Sequence, residues 1–321
     1  MSAKMITVNS ENVPDFIKNC YTLKPKDLFM DELTWKFLIR NILRGKNILL
    51  VGPQGAGKTL AAHCGQSVLN RPMFNIPLGS TQDPRSALIG NTNYNKEKGT
   101  FFTPSYFVEA ISTPNAVVLL EELSRAHPDA WNLLMPVLDE SQRFLRLEEK
   151  EGGETVNVAP GVSFVATANI GNQFTSTRVL DRALIDRFVI VEVKTLDKDS
   201  EFELLKMKYP SVKDELLIAL SSVSAGSRDE AGTESSKLTE AISTRLSIET
   251  AGLMADGFGL LEAAEVAIYP FFSKDGGNDS ERTYIKQMLQ RFIDPSSIPE
   301  PTPDPDDDKF FTQADIDSAT P

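Results

Sequence analysis

The sequence predicts an α/β fold in which helices cover both faces of a parallel sheet, followed by a smaller helical domain. Short, nearly continuous apolar runs alternate with helical stretches between residues 46 and 195. Strands that are apolar along their whole length are typical of parallel sheets, because both faces of such a sheet are buried. Beyond residue 196 these runs stop, and the remaining apolar residues recur at helical spacing.

The first two predicted segments are a helical lead-in, residues 1–45, and an α/β domain, residues 46–195. The lead-in contains "DELTWKFLIRNILRG", whose apolar residues have helical spacing and which stops at Gly45. Five strands are predicted in the α/β domain, at residues 47–52, 73–77, 116–121, 162–167 and 188–193. Two stretches interrupt the alternation. A polar, Gly-containing loop is predicted in "LGSTQDPRSALIGNTNYNKEKGTFFTPSYFVEAI", residues 78–111. Two alternating runs in "RFLRLEEKEGGETVNVAP" predict a hairpin.

Residues 196–294 are predicted to form the helical domain, and residues 295–321 a tail. Helical spacing occurs in "EFELLKMKY", "DELLIALSSV", "TRLSIETAGLMADGF" and "YIKQMLQRFI". The stretch "SAGSRDEAGTESS", residues 224–236, is rich in Ser and Gly, which predicts a flexible interruption. The acidic tail is rich in Pro and holds too little apolar surface to offset the entropy of ordering it, so disorder is predicted there.

Composition restricts both location and partners. With 41% hydrophobic and 24% charged residues among 321, the chain is typical of globular proteins, and no apolar run is long enough to cross a bilayer. Cys20 and Cys64 are the only cysteines, which predicts a reducing, cytoplasmic location without disulfides. The net charge is -12 and no block of Lys and Arg stands out, so the sequence favours neither a nucleic acid nor a membrane as partner.

The stretch "GPQGAGKT" follows the first predicted strand and opens a helical stretch. A phosphate-binding loop requires this context, because its Gly residues let backbone N–H groups surround phosphates and the helix N-terminus favours negative charge. Lys58 would neutralise the β- and γ-phosphates of a nucleotide, and the Thr59 hydroxyl would bind Mg²⁺. The predicted nucleotide-binding residues of this loop are Gly52, Pro53, Gln54, Gly55, Ala56, Gly57, Lys58, Thr59 and Leu60.

The third predicted strand, in "VVLLEE", ends in two carboxylates, Glu121 and Glu122. Because the carboxyl ends of parallel strands meet at one edge of a sheet, we expect this acid pair beside the phosphate loop. Glu121 would hold Mg²⁺ through water, with a side chain one methylene longer than the usual Asp. Glu122 would polarise the water that attacks the γ-phosphate.

Polar residues near the last two strands and in the helical domain complete the predicted site. Asn169, in "FVATANIGN", would reach the γ-phosphate or the attacking water. Arg182 and Arg187, in "LDRALIDRF", suit the spread charge of a transferring phosphoryl group. Arg245, in "ISTRLSIE", would sense nucleotide and couple it to domain closure. A simpler interpretation of the arginines, as surface ion pairs, stays open from the sequence alone.

In this order, the motifs resemble those of AAA+ ATPases, and more specifically the MoxR-like branch with NorQ, CbbQ and the cobaltochelatase small subunit. The similarity covers residues 30–270, most of the chain. It implies that Asn169 is sensor-1, Arg187 an arginine finger and Arg245 sensor-2, and that the helical domain is a lid. Glu121 stands where the family has Asp.

The resemblance also carries expectations about insertions and partners. It implies a helix-2 insertion around residues 79–102 and a hairpin around residues 143–158. It implies a ring, usually a hexamer, that hydrolyses ATP with Mg²⁺. Members of this branch often act with a von Willebrand factor A-domain protein to activate an enzyme or insert a metal into it.

Two other functions remain open from the sequence. A nucleic-acid motor of the restriction or helicase kind would show salt-dependent, DNA-stimulated turnover. A non-hydrolysing scaffold, for which Glu121 is the best support, would use ATP only to hold a ring together and would show little turnover. A simple kinase or GTPase is poorly supported, because neither needs the series Asn169, Arg187 and Arg245.

Overall fold

The computed structural model describes residues 12–97, 99–169, 180–232 and 236–292. In these residues the strands are β1 (Ile48–Val51), β2 (Met73–Pro77), β3 (Gly90–Asn95), β4 (Gly99–Pro104), β5 (Val117–Glu121), β6 (Phe144–Leu147), β7 (Glu154–Asn157), β8 (Ser163–Ala168) and β9 (Val189–Glu192). The α-helices are α1 (Val13–Asn19), α2 (Glu32–Leu43), α3 (Lys58–Leu69), α4 (Pro84–Leu88), α5 (Tyr106–Ser112), α6 (Pro128–Leu138), α7 (Arg182–Ile185), α8 (Lys198–Lys208), α9 (Asp214–Ala231), α10 (Thr244–Ala255), α11 (Leu260–Ala267) and α12 (Glu281–Gln290). Short 3₁₀ helices occur at Cys20–Leu23, Leu78–Ser80, Leu123–Arg125, Tyr269–Phe271 and Gly277–Asp279.

A five-stranded parallel sheet forms the centre of the molecule, in the order β2-β5-β8-β1-β9. All five predicted strands lie in it, so this part of the fold prediction is confirmed. Alternate residues of one strand face opposite sides: Leu49 joins an apolar cluster with α5 and α6, whereas Ile48 and Leu50 join a cluster with α2 and α3. Burial on both faces is the reason for the continuous apolar runs.

The predicted helical lead-in is present as α2, which packs against the sheet. The Asp31 carboxylate caps its N-terminus by accepting a hydrogen bond from the Thr34 N–H at 2.9 Å. The side chains of Trp35 and Ile39 are fully buried in the cluster on that face of the sheet. The helix ends just before Gly45, whose φ of 64° is readily adopted only by Gly.

Each of the two interruptions contains an antiparallel hairpin. The predicted hairpin is confirmed, since β6 pairs with β7 in an antiparallel register. The prediction of a polar loop over residues 78–111 is wrong for residues 90–104, because β3 and β4 pair along their whole length. Most side chains of the β3–β4 ribbon are exposed, so its sequence lacks the apolar alternation that is typical of a half-buried strand.

The described residues after β9 are helical, as predicted, and form a cluster of buried apolar side chains of their own. The predicted flexible interruption at residues 224–236 is wrong for residues 224–231, which continue α9. Ser224 and Ser227 are buried there, and the Ser224 hydroxyl lies 2.8 Å from that of Ser247 on α10. Small hydroxyl side chains therefore allow α9 and α10 to pack closely while their polar atoms stay bonded.

Some predictions concern residues that the structure does not describe, or boundaries that it does not decide. The acidic tail, residues 295–321, lies outside the described residues. The boundaries of the four predicted segments remain predictions. Among the described residues, no helix combines the length and apolar character needed to cross a membrane.

Candidate functional site

The loop of "GPQGAGKT" connects β1 to α3, at the carboxyl edge of the sheet. A Cβ atom on Gly52 would lie 2.1 Å from the Val193 carbonyl oxygen, so the loop begins where only Gly fits against the strand beside it. Gly55 and Gly57 adopt φ angles of 77° and 86°, which favour Gly. No side chain caps the N-terminus of α3, which begins at Lys58. The first amides of the helix therefore face the loop interior and suit a phosphate group.

The Lys58 ammonium group is buried inside this loop. It donates hydrogen bonds to the carbonyl oxygens of Gly52, at 2.8 Å, and Pro53, at 2.7 Å, and to Asn169 Oδ1, at 2.7 Å. Burial lowers the pKa of Lys58 to about 8, and the charge of nearby Glu122 opposes this shift. In the described part of the chain no carboxylate lies within ion-pair distance of this ammonium. It is therefore a buried cation whose partners are neutral oxygens, an arrangement that suits an incoming anion.

The acid pair lies at the end of β5, two strands from β1. Glu121 is the last residue of the strand, and Glu122 turns away with a left-handed φ of 54°. The Glu122 N–H donates to the Thr167 hydroxyl of β8 at 3.0 Å, and its carboxylate accepts from Arg125 Nη1 at 3.1 Å. A Cβ atom on Gly79 would lie 2.5 Å from Glu122 Cβ. Glu122 is thus held from three sides.

The helical domain closes one side of the loop. A cavity of about 400 Å³ lies between the phosphate loop, Thr195 and the helical domain, and Arg245 and Leu246 of α10 are among its lining residues. The contact is close, because a Cβ atom on Gly55 would lie 3.0 Å from Ser243 Cβ. Arg245 is exposed in the first turn of α10. The structure therefore brings Arg245 to the same cavity as the loop.

Arg187 lies near the amino-terminal ends of the strands, opposite to the ends that carry the phosphate loop. Its carbonyl oxygen accepts a hydrogen bond from Asn47, the residue before β1, at 3.0 Å. The phosphate loop begins at the other end of β1, four residues and about 13 Å further along the strand. The guanidinium binds Asp139 Oδ2 at 3.0 Å, and hydrogen bonds from Ser141 and this contact lower the pKa of Asp139. The structure does not bring Arg187 to its own phosphate loop.

Arg182 is the first residue of α7, at the same edge as Arg187, and it is exposed. It begins the single helical turn that ends just before Arg187. Glu121 ends β5, Glu122 follows it and Asn169 follows β8, so all three lie where these parallel strands end. The predicted site therefore divides into one group around Lys58 and two arginines at the far edge.

The chain's donor set suits Mg²⁺ only together with a nucleotide. In the described part of the chain, no three His, Cys, Asp or Glu side chains are grouped so as to hold a metal ion. Mg²⁺ usually keeps several waters and takes one or two protein oxygens in addition to substrate phosphates. Thr59 would supply one such oxygen and Glu121 would hold the ion through a bound water, so phosphate oxygens and further water would complete the shell.

Sequence reasoning missed three residues that lie against Glu122. Thr167 is buried within β8 and stands two residues before Asn169, so its role was hidden in an apolar strand. Gly79 lies in a 3₁₀ turn after β2, and Arg125 in the turn after Glu122. The signal for them was their position in the last residues of a strand or just after one, where strands end at the same side of the sheet.

Comparisons with known proteins agree with this geometry. Residues 47–188 match the family model of the AAA domain (dynein-related subfamily), and residues 201–289 match that of the CbbQ/NirQ/NorQ C-terminal domain. The chain is 32% identical over 227 residues to "Putative chaperone BssE" of Thauera aromatica, which covers 69% of this chain and 74% of that one. It is also 32% identical over 177 residues to the uncharacterized protein SSP1341 of Staphylococcus saprophyticus, covering 54% of this chain and 64% of the relative.

Among solved structures, the chain is similar to the Thermotoga maritima RuvB Holliday junction branch migration motor. The TM-score is 0.49 at 18% identity, covering 76% of this chain and 72% of the motor. A variant of the same protein gives a TM-score of 0.50 at 17% identity, over 76% of this chain and 73% of the other. At this level of identity the similarity concerns the fold alone.

Proposed function

Because the chain belongs to the MoxR-like AAA+ ATPases, we propose that it binds MgATP, hydrolyses it and uses the cycle to remodel or activate a protein client. The observation that carries this proposal is the buried Lys58 ammonium, held by neutral oxygens at the uncapped N-terminus of α3. A nucleoside triphosphate supplies the negative charge that this site lacks.

Each predicted residue has a role in this proposal. Mg²⁺, bound by Thr59 and Glu121, would neutralise charge on the phosphates. Glu122 takes the proton of the attacking water, and Asn169 orients that water or the γ-phosphate. Lys58 stabilises the phosphate charge from within the same chain.

The predicted arginines lie in two different places, and we assign them different roles. Arg245 reports nucleotide to the helical lid, since it lines the cavity beside the loop. Arg187, and Arg182 beside it, would reach the phosphates of a neighbouring chain, because they lie far from their own loop. A site shared between chains implies a ring, for which we propose a hexamer.

The client is proposed to be a protein. The name of the Thauera aromatica relative, a chaperone, supports a protein client, and a von Willebrand factor A-domain protein is the proposed partner. Metal insertion is one form that such activation would take. We also propose a cytoplasmic location, from the cysteine content.

A scaffold with little turnover is the second candidate, and two features of the acid pair favour it. Glu121 replaces the usual Asp, and the Glu122 carboxylate is bound by Arg125 at 3.1 Å. This ion pair engages the carboxylate that would have to accept the proton of the attacking water. A nucleic-acid motor has no such support in the described residues, and DNA-stimulated turnover is the result that would favour it.

Lys58→Ala is expected to weaken MgATP binding by about 100-fold or more, because a buried cation that contacts the phosphates is lost. Isothermal titration calorimetry with the full chain measures this affinity. Ala at the exposed Lys198 is the matched control and should bind as the wild type does. Unchanged affinity in Lys58→Ala would overturn the phosphate-loop assignment.

The pKa of Lys58 adds a second arm to the same experiment. Because its pKa is about 8 without nucleotide, the free ammonium loses its proton as the pH rises through 8. MgATP binding should then weaken by up to about tenfold per pH unit, and binding should take up a proton. Lys58→Arg stays charged throughout, so its affinity should lose this dependence. A wild-type affinity that is flat between pH 7 and 9 would contradict the lowered pKa of Lys58, whereas the Lys58→Ala result tests its role.

Glu121 should be replaceable by Asp but not by Ala. Glu121→Asp is expected to keep or raise ATP turnover, since Asp binds Mg²⁺ in the usual way. Glu121→Ala should raise the Mg²⁺ concentration needed for half-maximal turnover. Equal Mg²⁺ dependence in wild type and Glu121→Ala would remove Glu121 from the metal site.

A further inference from the structure

The side chain of Arg228, on α9, joins four other points of the helical domain and its linker. Its Nε donates to the Ile242 carbonyl oxygen at 3.1 Å, and Nη1 donates to the Leu196 carbonyl oxygen at 2.8 Å. Nη2 lies 3.4 Å from the Thr244 hydroxyl, and Nη1 also forms an ion pair with Glu201 of α8. One guanidinium thus connects the linker after β9, α8, α9 and the start of α10.

This ion pair is nearly inaccessible to water. The side chain of Glu201 is fully buried and that of Arg228 is 10% exposed. The second carboxylate oxygen of Glu201 is buried and has no hydrogen-bond partner among the described residues. Such a pair loses much of its hydration for little net stability, so what it contributes is a fixed geometry of the groups around it.

The points that Arg228 joins lie next to the phosphate loop on two sides. The linker begins at Val193, whose carbonyl oxygen abuts Gly52, and it reaches Leu196 three residues later. The start of α10 abuts Gly55 through Ser243. Arg228 itself lines the same cavity as Arg245, the residue after Thr244. The guanidinium therefore lies where the helical domain contacts the phosphate loop.

We propose that Arg228, held by Glu201, is a positioning residue of the nucleotide site. By fixing the start of α10 to the linker, it holds Arg245 at the cavity. Only a planar guanidinium donates in these several directions at once, so Lys cannot replace it. The inference rests on the proposed function, because Arg228 acts through Arg245 and not on the nucleotide itself.

The test is a double-mutant cycle on ATP affinity and turnover, with Arg228→Lys and Arg245→Ala. Arg228→Lys keeps the charge opposite Glu201 but loses the fork, and it should lower turnover by about tenfold. Added to Arg245→Ala, it should cost less than a further twofold, because both changes remove the same contribution. Independent residues give losses that multiply. A double variant with multiplied losses, or Arg228→Lys with wild-type turnover, would overturn the proposal.

Two further variants separate positioning from stability. Leu289→Ala leaves a cavity in the buried apolar cluster of the lid, where α12 packs. It should lower the melting temperature and leave turnover unchanged at temperatures where the protein is folded. If Arg228→Lys does not fold, Glu201→Gln takes its place in the same cycle. Glu201→Gln should lower turnover by less than Arg228→Lys, and it should cause no further loss of turnover when added to Arg245→Ala. Wild-type protein without ATP turnover would contradict the proposed function, and this inference with it. Normal wild-type turnover with multiplied losses would contradict this inference alone.

Discussion

Replacing Glu122 by Gln is expected to stop ATP hydrolysis while ATP stays bound. The amide keeps the size of the side chain and its contact with Arg125, but it cannot accept the proton of the attacking water. Loss of a general base lowers turnover by about 10²–10⁴-fold. ATP affinity should stay within a few-fold of the wild type, because Lys58 and the phosphate loop are untouched.

Steady-state phosphate release measures the first quantity, and calorimetry with the full chain measures the second. Glu215→Gln, the same change at an exposed site on α9, is the control and should be silent in both. Normal hydrolysis by Glu122→Gln would show that the end of β5 is structural. That result would contradict the proposed role of Glu122 and would leave Glu121 without support as a metal ligand.

The ATP-locked Glu122→Gln protein also addresses the client. A chain that binds ATP without hydrolysing it stays in the nucleotide-bound form, in which a client is held longest. Recovery of one protein that depends on bound ATP would identify the client that the sequence cannot name. Recovery of DNA instead would favour the nucleic-acid motor.

The strands were predictable because burial on both faces leaves a direct mark on composition. β1 and β5 are four- and five-residue runs of apolar residues, with a charged residue only where β5 leaves the core. Their order in the sheet was not predictable in the same way, since it depends on contacts between distant segments. That order decides that β8 lies between β5 and β1, and so that Thr167 meets Glu122.

The wrong predictions share a cause. The β3–β4 ribbon satisfies its backbone by pairing with itself while its side chains stay exposed, so hydrophobic periodicity says nothing about it. A flexible interruption is predicted within α9 because Ser and Gly are weak helix formers. Ser224 and Ser227 are buried there, however: the Ser224 hydroxyl is bonded to that of Ser247 on α10, and the Ser227 hydroxyl accepts from the Ile242 N–H. In both places contacts outside the local sequence decide the structure.

The candidate site was predictable where chemistry demands particular residue types in order. Lys58 and Thr59 follow from the loop motif, and the acid pair follows from its strand. The geometry adds what no motif contains: Lys58 and Asn169 are in contact, and Arg187 faces away from both. That last fact turns a residue assignment into a prediction about assembly.

Mixing two inactive variants is expected to restore ATP turnover. Arg187→Ala should bind ATP but turn over about 10³-fold more slowly, by analogy with other arginine fingers, and Lys58→Ala should be inactive for want of bound nucleotide. In a mixed ring, an Arg187→Ala chain supplies an intact phosphate loop. Its Lys58→Ala neighbour supplies an intact Arg187, so some of the shared sites are complete.

The result depends on which edge of the sheet Arg187 occupies. Asn47 ties its backbone to the start of β1, and Asp139 holds its guanidinium at that edge. If Arg187 acted within its own chain, no chain in the mixture would hold both groups and turnover would stay lost. Subunit exchange is checked independently, by energy transfer between labelled chains with ATP present. Confirmed exchange without recovered turnover would therefore contradict the shared site. Arg182→Ala in place of Arg187→Ala then decides whether the exposed neighbour supplies the charge instead.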